Sequence, residues 1–367
     1  MQWIEQAADA EVLKQWSKDS AIAVDTEFMR ERTFYPELAL VQIGRPGEVV
    51  LLDAPRLGRN PALIELLQAP VLKVMHSAGE DLQAFQHALG AVPRPLFDTQ
   101  LAAGLCGMDP SLSYQKLVAE LCSVTLEKGE TRSDWLRRPL SQSQLTYAAD
   151  DVRYLLDPYQ QLALKLEGLG RRQWLDEDCE RALEQAREGD DPLPHLSVRP
   201  AQGLPREVQV RLWRLLRWRD QLARSSNKPR SWMLDTQLAV DLALRPAPDR
   251  TTLDRQLDAH PKAPRKRREE LFDLLQSGLS PEEQALPLAA QPDPSERDQL
   301  KKLQNAVAQR AAALGIHDSV LASRRHLETL LREGRWSRHL SGWRRRELAA
   351  HLVPLLPGSV RLHAEHA

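Results

Sequence analysis

Short apolar runs typical of buried strands mark the first part of the chain. They lie at 21–24, 38–43, 48–53 and 71–75. The second and third runs flank a turn that contains glycine and proline, which predicts a hairpin. Strands that first occur alone and then alternate with helices predict a mixed sheet covered by helices, an α/β domain. Segments with helical periodicity lie at 10–18, at 63–67 and in a stretch that ends near Leu89.

Helical periodicity continues through the rear part of the chain and repeats once. Helical segments at 207–224 and 234–244 are followed by segments with the same rhythm at 300–314 and 319–327. The offset of about ninety residues indicates an imperfect internal repeat. A proline-rich, polar stretch at 190–200 predicts a linker. The predicted domains are 1–188, 205–285 and 286–367, with the linker at 189–204.

Length and composition fit a globular protein of two or three domains. The chain has 367 residues, of which 42% are hydrophobic and 28% are charged. It contains no apolar run of membrane-spanning length and lacks the start of a signal peptide. Its three cysteines show no Cys-x-x-Cys spacing, which argues against a disulfide framework or a cysteine zinc site. We therefore expect a cytoplasmic protein with no membrane partner, and a monomer by default.

Charge is distributed unequally between the two halves. Residues 1–200 contain 21 basic and 31 acidic side chains, whereas residues 201–367 contain 29 basic and 20 acidic ones. An acidic front and a basic rear predict that the rear binds a polyanion on which the front acts. The basic cluster at 261–268 fits either a phosphate contact or a solvated helix start whose charge Glu269 and Glu270 offset.

Candidate chemistry begins where the first apolar run ends. Asp25 and Glu27 follow that run directly, and they point to the same face because side chains in a strand alternate. Two such acids repel each other and lose hydration, a cost that a divalent cation between them would offset. A strand that runs into a solvated turn also accounts for the pair, and the pair by itself favours that simpler interpretation.

A third acid follows the strand at 71–75. Asp81 opens a helix, for which Ser77 is a predicted N-cap with Glu80 in capping-box spacing. Acids in a first helical turn interact favourably with the helix dipole, so this position alone does not require a metal.

A fourth acid belongs to a later helix. Tyr147 and Asp151 stand four residues apart and therefore share one helix face, and Ser141 or Ser143 is a suitable cap. The segment just upstream, 132–140, is rich in groups that bind phosphate. Each motif is weak alone, but their order within one domain carries more information than any single match.

In that order the motifs resemble the ribonuclease D family of the DEDD exonuclease superfamily, in its tyrosine subtype. The resemblance covers essentially the whole chain. The segments that carry it are Val24-Asp-Thr-Glu-Phe28, Arg32-Thr-Phe-Tyr-Pro36, Leu38-x-Leu-x-Gln42, His76-Ser-Ala-Gly-Glu-Asp-Leu82, Arg132-Ser-Asp-Trp-Leu-x-Arg-Pro-Leu140 and Tyr147-Ala-Ala-Asp-Asp151.

The resemblance implies a fold. We expect an α/β ribonuclease-H-like mixed sheet flanked by helices, followed by two small all-α domains of the helicase-and-ribonuclease-D C-terminal (HRDC) type, which bind nucleic acid. Leu215–Arg224 carries the first HRDC resemblance, and Leu321–Leu327 with Leu340–Leu348 carries the second. A chain that ends near Asp190 is then expected to keep the chemistry and to bind long substrates less well.

The resemblance also implies an activity. We expect a 3′-to-5′ exoribonuclease that trims RNA ends such as those of transfer-RNA precursors and releases nucleoside 5′-monophosphates. The family's four acids fall on Asp25, Glu27, Asp81 and Asp151, which would hold two Mg²⁺ or Mn²⁺ ions. In this family such ions activate a water and neutralise the leaving oxygen. Tyr147 has an ordinary pKa near 10 and is expected to orient the water rather than to act as a base.

Contacts to the substrate are expected from Phe28, Gln42, His76, Arg132 and Arg137, and Arg138 is a further candidate contact to the substrate phosphates. For the three arginines, surface charge around a packed Trp135 is nearly as good an interpretation. The acids alone do not select the sugar, so a DNA proofreading-type exonuclease remains the alternative among enzymes. A nucleic-acid-binding scaffold with an inactive nuclease fold is the alternative outside enzymes.

Overall fold

The computed structural model describes residues 1–127, 129–130, 132–187, 191–260, 263–291 and 293–357. The chain divides into two compact units. The first unit comprises Met1–Met29, Pro36–Arg187 and Asp293–Ala367, and the second comprises Arg30–Tyr35 and Glu188–Pro292. The start of the predicted linker at 189–190, the start of the basic cluster at 261–262 and the last ten residues of the predicted third domain lie outside the described residues.

A mixed sheet lies at the centre of the first unit. Its strands are β1 Gln2–Ile4, β2 Ala21–Met29, β3 Glu37–Arg45, β4 Glu48–Asp53, β5 Leu72–Met75 and β6 Leu96–Asp98. Their order is β1-β4-β3-β2-β5-β6, with β2, β3 and β4 antiparallel and the remaining pairings parallel. The mixed sheet and the β3–β4 hairpin confirm the prediction. Strands β1 and β6 were not predicted, because three residues are too few to show a period of two.

Helices cover the sheet. Up to Arg187 they are α1 Leu13–Trp16, α2 Ala54–Leu57, α3 Pro61–Gln68, α4 Gly79–Leu89, α5 Thr99–Leu105, α6 Tyr114–Cys122, α7 Gln142–Arg153, α8 Leu156–Gly168 and α9 Arg172–Arg187. The helix predicted at 10–18 is instead a 3₁₀ turn, Asp9–Val12, followed by α1. The core between sheet and helices includes Val24, Leu40 and Phe85, which are fully buried.

Strand β2 contains both Asp25 and Glu27, as predicted, and continues beyond them to Met29, because β3 pairs with it from Ala23 to Met29. The predicted cap of α4 was wrong. Ser77 does not cap α4, since its φ is 58° and the N-cap position is Ala78 without a side-chain bond. Asp98 replaces the predicted cap by accepting hydrogen bonds from the backbone N–H groups of Ser77 and Ala78.

The second unit is helical and has its own core. Its helices are α10 Arg206–Ser226, α11 Arg230–Met233, α12 Thr236–Leu244, α13 Arg250–Asp258, α14 Arg268–Gln276 and α15 Pro281–Gln284. Leu215, Leu242 and Leu271 belong to one cluster of buried apolar residues within this unit. The short segment Arg30–Tyr35 is part of the same unit. The guanidinium groups of Arg224 and Arg230 both contact the ring of Phe34, at 4.7 and 4.6 Å from its centroid.

The last helices return to the first unit. They are α16 Pro294–Leu314, α17 Asp318–Leu321, α18 Arg324–Glu333 and α19 Trp343–Leu352. Helices α16, α17 and α18 repeat the order and spacing of α10, α11 and α12, which confirms the predicted internal repeat. The domain boundaries drawn from the sequence stay a prediction. Among the described residues, none of these helices combines the length and the apolar character that crossing a membrane requires.

Candidate active site

Three carboxylates from two elements meet on one face of the sheet. Asp25 and Glu27 lie on β2, and Asp151 lies on α7. One carboxylate oxygen of each lies within 4.8 Å of the others. The side chains are half-buried. The structure therefore brings together acids that are more than 120 residues apart in the sequence.

Helix α7 is positioned for this meeting by its cap and by a close approach to the sheet. Ser141 and Gln144 form the capping box at its start, which confirms Ser141 as the cap. A β-carbon on Gly44 of β3 would lie only 2.9 Å from the backbone oxygen of Val152 on α7. Because Gly44 does not have a positive φ, it is required for space rather than for conformation. Sequence reasoning missed this position, since the close approach of α7 to the strand leaves no local signal around the glycine.

The fourth predicted acid, Asp81, lies apart from the three-carboxylate group. It occupies the first turn of α4 and is 8% exposed. Its Oδ1 accepts a hydrogen bond of 2.5 Å from the hydroxyl of Thr26. Asp81 nevertheless acts on the group through its charge, because it is the largest charged contributor to the raised pKa of Asp25.

Burial raises the pKa of all four acids, and the neighbouring carboxylates raise it further. Desolvation, followed by the three other acids, holds the pKa of Asp25 well above its ordinary value. Desolvation and the charges of Asp151 and Asp81 raise the pKa of Glu27 to about 9. The pKa values of Asp81 and Asp151 are both raised to about 7, mainly by burial. At neutral pH the cluster therefore retains protons unless a cation compensates its charge.

The donor set fits a hard divalent cation. The group consists of carboxylate oxygens, and in the described part of the chain no cysteine or histidine belongs to it. Oxygen-only sites suit Mg²⁺ or Mn²⁺, whereas zinc sites in proteins use mainly cysteine and histidine. The residues present thus satisfy what such an ion requires.

Tyr147 lies one helical turn before Asp151 on the same helix, and its phenol is close enough to feel the charge of the Asp151 carboxylate. Desolvation, followed by the nearby acids, raises the pKa of Tyr147 above its ordinary value. The phenol is therefore protonated at neutral pH and can donate a hydrogen bond. A cleft of about 440 Å³ opens beside Tyr147 and Asp151, lined also by Gln115, Ser143 and Thr146.

Gln42 is the Cα partner of Asp25 on the neighbouring strand. Its side chain is fully buried, and neither its amide nitrogen nor its oxygen has a hydrogen-bond partner within the described residues. Buried amides are almost always bonded, so an unpaired one beside a carboxylate of the acidic group is unusual. A substrate contact by Gln42 stays a prediction.

The other predicted contacts differ in their surroundings. Phe28 is half-buried at a bulge in β2, and Arg132 and Arg137 are exposed. Both ring nitrogens of His76 are engaged, Nδ1 with the Thr99 hydroxyl at 2.9 Å and Nε2 with the Leu112 carbonyl at 3.0 Å. His76 thus connects three segments of the fold, and a substrate contact by any of these four residues stays a prediction.

Arg138, the neighbour of Arg137, has a structural role. Its guanidinium donates to both carboxylate oxygens of buried Asp53 and to the carbonyl oxygens of Trp135 and Ala39. It therefore fixes the segment before α7 to the sheet. The sequence did not distinguish Arg138 from its neighbours, because partners distant along the chain determine its role.

Comparison with known proteins shows which family the chain resembles. Residues 1–167 match the family model described as 3′-5′ exonuclease. The chain is 49% identical to ribonuclease D of Xanthomonas oryzae pv. oryzae, over 97% of this chain and 99% of that protein. It is 37% identical to ribonuclease D of Pseudomonas paraeruginosa, with 97% of each covered. The crystal structure of Escherichia coli RNase D matches with a TM-score of 0.85 and 28% identity, over 97% of this chain and 98% of that chain.

These relatives extend over both the sheet domain and the helical rear part. Exonucleases of this fold typically depend on a divalent metal, and the acidic cluster that such a metal needs is present here. The implied family and fold are thereby confirmed, and an exonuclease that acts on RNA is supported over the two alternatives. The chain belongs to the ribonuclease D family of 3′-to-5′ exoribonucleases.

Proposed function

We propose that the acidic cluster holds two Mg²⁺ or Mn²⁺ ions for hydrolysis of the terminal phosphodiester of RNA. The observation that carries the proposal is the meeting of Asp25, Glu27 and Asp151 within 4.8 Å. Asp25 would be shared by both ions, Glu27 and Asp151 would complete the site on the water side, and Asp81 would hold the ion on the leaving-group side. When bound, such ions lower the pKa of a water and neutralise charge on the phosphate.

Tyr147 has a supporting role in this proposal. Its raised pKa keeps the hydroxyl protonated, so it cannot take a proton from water at neutral pH. It donates a hydrogen bond and orients the attacking water. Tyr147→Phe should therefore lower kcat and leave the pH at which activity rises unchanged, because that pH depends on the acids.

The proposed substrates are RNA 3′ ends that require trimming, such as those of transfer-RNA precursors, with nucleoside 5′-monophosphates as products. In support, the similar Escherichia coli protein is described as an exoribonuclease involved in structured RNA processing. We further propose a cytoplasmic monomer in which Phe28, Gln42, His76, Arg132 and Arg137 contact the substrate. The basic helical rear domains would bind RNA in a salt-dependent manner.

The decisive experiment compares Asp151→Asn with Asp150→Asn on a 3′-labelled single-stranded RNA. Asp150 is adjacent in sequence but pairs with Arg153 at 2.7 Å and is outside the three-carboxylate group. Asp151→Asn and Asp25→Asn should abolish release of mononucleotides while RNA affinity persists. Asp150→Asn should retain activity within about tenfold.

Chelation and a matched DNA strand complete the test. Exhaustive removal of divalent ions should stop the wild-type enzyme, and Mn²⁺ or Mg²⁺ should restore it. Turnover by Asp25→Asn, or by the chelated wild type, would reject the metal assignment. Faster degradation of the DNA strand than of the RNA strand would reject the proposed substrate.

A further inference from the structure

Thr26 occupies the position between the two acids of β2. By strand alternation it lies on the face opposite to that of Asp25 and Glu27. It is 5% exposed, and its Cα partner on β3 is Val41. A β-branched residue suits this place, and valine would satisfy the strand equally well. The buried hydroxyl therefore needs a reason of its own, since a buried donor without a partner costs free energy.

The hydroxyl is used to hold Asp81. Strand β5 pairs with β2 only at Ala21–Ala23 and ends at Met75. Beyond that pairing β2 continues to Met29, and the first turn of α4 brings Asp81 beside the edge of β2 that β5 no longer covers. From that edge Asp81 bonds Thr26 of one face and acts by its charge on Asp25 of the other. Thr26 Oγ1 donates to Asp81 Oδ1 over 2.5 Å, and both side chains are buried. Hydrogen bonds to a charged acceptor are the strong ones.

Asp81 needs such support because it stands outside the group formed by the other acids. A first-turn aspartate on an isolated helix can choose among several rotamers, only some of which direct an oxygen to a neighbouring ion. Residues that hydrogen bond to a metal-ligating carboxylate fix its orientation and tune its affinity. A hydroxyl donor to Oδ1 has this property.

We propose that Thr26 is a positioning residue, whose hydroxyl fixes the carboxylate of Asp81 for the divalent ion that Asp81 shares with Asp25. This inference rests on the proposed function of the acidic cluster. It assigns a task to the middle position of the Asp-x-Glu motif. The proposed role depends on the hydroxyl of Thr26 and not on its methyl group. Substitutions that remove one of these two groups and keep the other can therefore test it.

The experiment uses the full chain with Thr26→Val, Thr26→Ser and Asp81→Asn. Valine retains the shape and strand preference of threonine but cannot donate, whereas serine retains the donor. Mn²⁺ binding is measured by calorimetry and by the electron paramagnetic resonance of free Mn²⁺, without RNA present. We expect Thr26→Val to weaken one of the Mn²⁺ binding steps by roughly 10- to 100-fold. It should also lower kcat on a single-stranded oligoribonucleotide more than it changes KM, and Thr26→Ser should restore both quantities to within about threefold.

Each outcome separates the inference from the function on which it rests. Wild-type Mn²⁺ binding by Thr26→Val, with weak binding by Asp81→Asn, overturns the role of Thr26 and leaves the acidic cluster in place. Equal loss in Thr26→Ser and Thr26→Val assigns the effect to packing and also overturns it. Absence of Mn²⁺ binding in the wild type overturns the proposed function itself. Should Thr26→Val not fold, Thr26→Ala also removes the donor and is held to the same outcomes.

Discussion

The two helical repeats have the same succession of helices but bury their apolar faces differently. In the first repeat, α10 and α12 pack with α13 and α14 around a separate core that includes Leu215 and Leu242. In the second, Leu303 of α16 and Leu330 of α18 belong to the same core as the catalytic sheet. The comparison shows that a repeat in sequence fixes how helices pack within a unit, but not whether that unit stands alone.

The buried ion pairs of the two repeats also differ in whether their partner lies inside or outside the repeat. Arg344 of α19 donates to both carboxylate oxygens of Asp178 on α9, and both residues are at most 5% exposed. The indole of Trp343 stacks on that of Trp174 with centroids 4.3 Å apart. In the first repeat, buried Arg214 instead pairs with Glu283 of its own unit. The second repeat therefore completes the catalytic unit.

The largest expected effect follows from removal of the second repeat. A chain that ends at Pro292 would expose Trp174 and the apolar side of α9, and Asp178 would lose Trp343 and Arg344 as partners and keep the ion pair with Arg181. We expect the first unit to lose most of the about 5–15 kcal/mol that ordinary domains possess and to aggregate. Light scattering and calorimetry on the truncated and full chains measure this.

This outcome differs from the sequence-based expectation that a chain ending near Asp190 keeps the chemistry. A truncated chain that stays monomeric, with an unchanged Tm and full activity on short RNA, would contradict the merged core. Coexpression of residues 293–367 as a separate polypeptide is the matched control. It should restore folding, because it returns the missing side of the core.

The next largest effect separates the two buried arginines. Arg344→Met keeps the apolar stem but removes a partner of buried Asp178, which typically costs about 3–5 kcal/mol. Arg214→Met removes the partner of Glu283 and the donor to three carbonyl groups in the second unit. We expect each variant to lower a different transition in scanning calorimetry.

The loss of nuclease activity on heating identifies which calorimetric transition is the unfolding of the first unit. Arg344→Met should lower the Tm of the transition with which nuclease activity is lost, and Arg214→Met should lower the other. A single transition that both variants shift equally would show that the units unfold together.

Burial alone would raise the pKa of Asp178, but Arg344 and Arg181 hold it below its ordinary value. This stabilisation is present above the unfolded pKa and is lost as the pH falls through the folded one.

Metal should stabilise only the first unit, and more so at higher pH. Glu27 has a pKa raised from 4.5 to about 9, and Asp81 and Asp151 have pKa values raised from 3.8 to about 7. These groups bind protons more tightly when folded, so without metal the stability they contribute falls as the pH rises through that range. A divalent ion must displace those protons and will bind more tightly at pH 8 than at pH 6.

Thermal unfolding with and without Mn²⁺ at the two pH values measures this prediction. A ligand at one hundred times its Kd stabilises the folded state that binds it by about 2.7 kcal/mol. The transition of the first unit should show this stabilisation by Mn²⁺ at pH 8. At pH 6 the same concentration should give a smaller shift. The transition of the second unit is the internal control, because that unit contains no such acidic cluster among the described residues. A larger shift at pH 6 would contradict the raised pKa values.

The sequence predicted those parts of the molecule that depend on local pattern or on motif order. Strand β2, the β3–β4 hairpin and the Ser141 cap depend on neighbouring residues, and Asp25, Glu27 and Asp151 were identified by their motifs. The roles of Thr26 and Gly44 depend on contacts with α4 and α7, which no local pattern encodes. The merged core was not predictable either, because the two repeats have the same periodicity and differ in what their outer faces meet.

The smallest expected effect concerns one equivalent position in the two repeats. Each 21-residue helix ends in a residue with left-handed backbone, Asn227 with φ 47° and Gly315 with φ 64°. Asn227 Oδ1 also accepts hydrogen bonds from the backbone N–H groups of Phe34 and Tyr35, at 3.2 and 3.1 Å. Asn227→Gly keeps the backbone conformation and removes both bonds, so it should destabilise the second unit by about 1 kcal/mol.

The reciprocal substitution is the matched control. Gly315→Asn places a residue that tolerates left-handed backbone where nothing lies within 4 Å of a new β-carbon. It should cost less than the about 1–2 kcal/mol that ordinary side chains lose in the left-handed conformation, and the cost should fall in the first unit. Hydrogen exchange gives the sharper measurement, because Asn227→Gly should speed exchange of the Phe34 and Tyr35 amides while Gly315→Asn leaves them unchanged. Unchanged exchange in Asn227→Gly would mean that the two arginines around Phe34 suffice to hold the segment, and that asparagine and glycine are equivalent at this helix end.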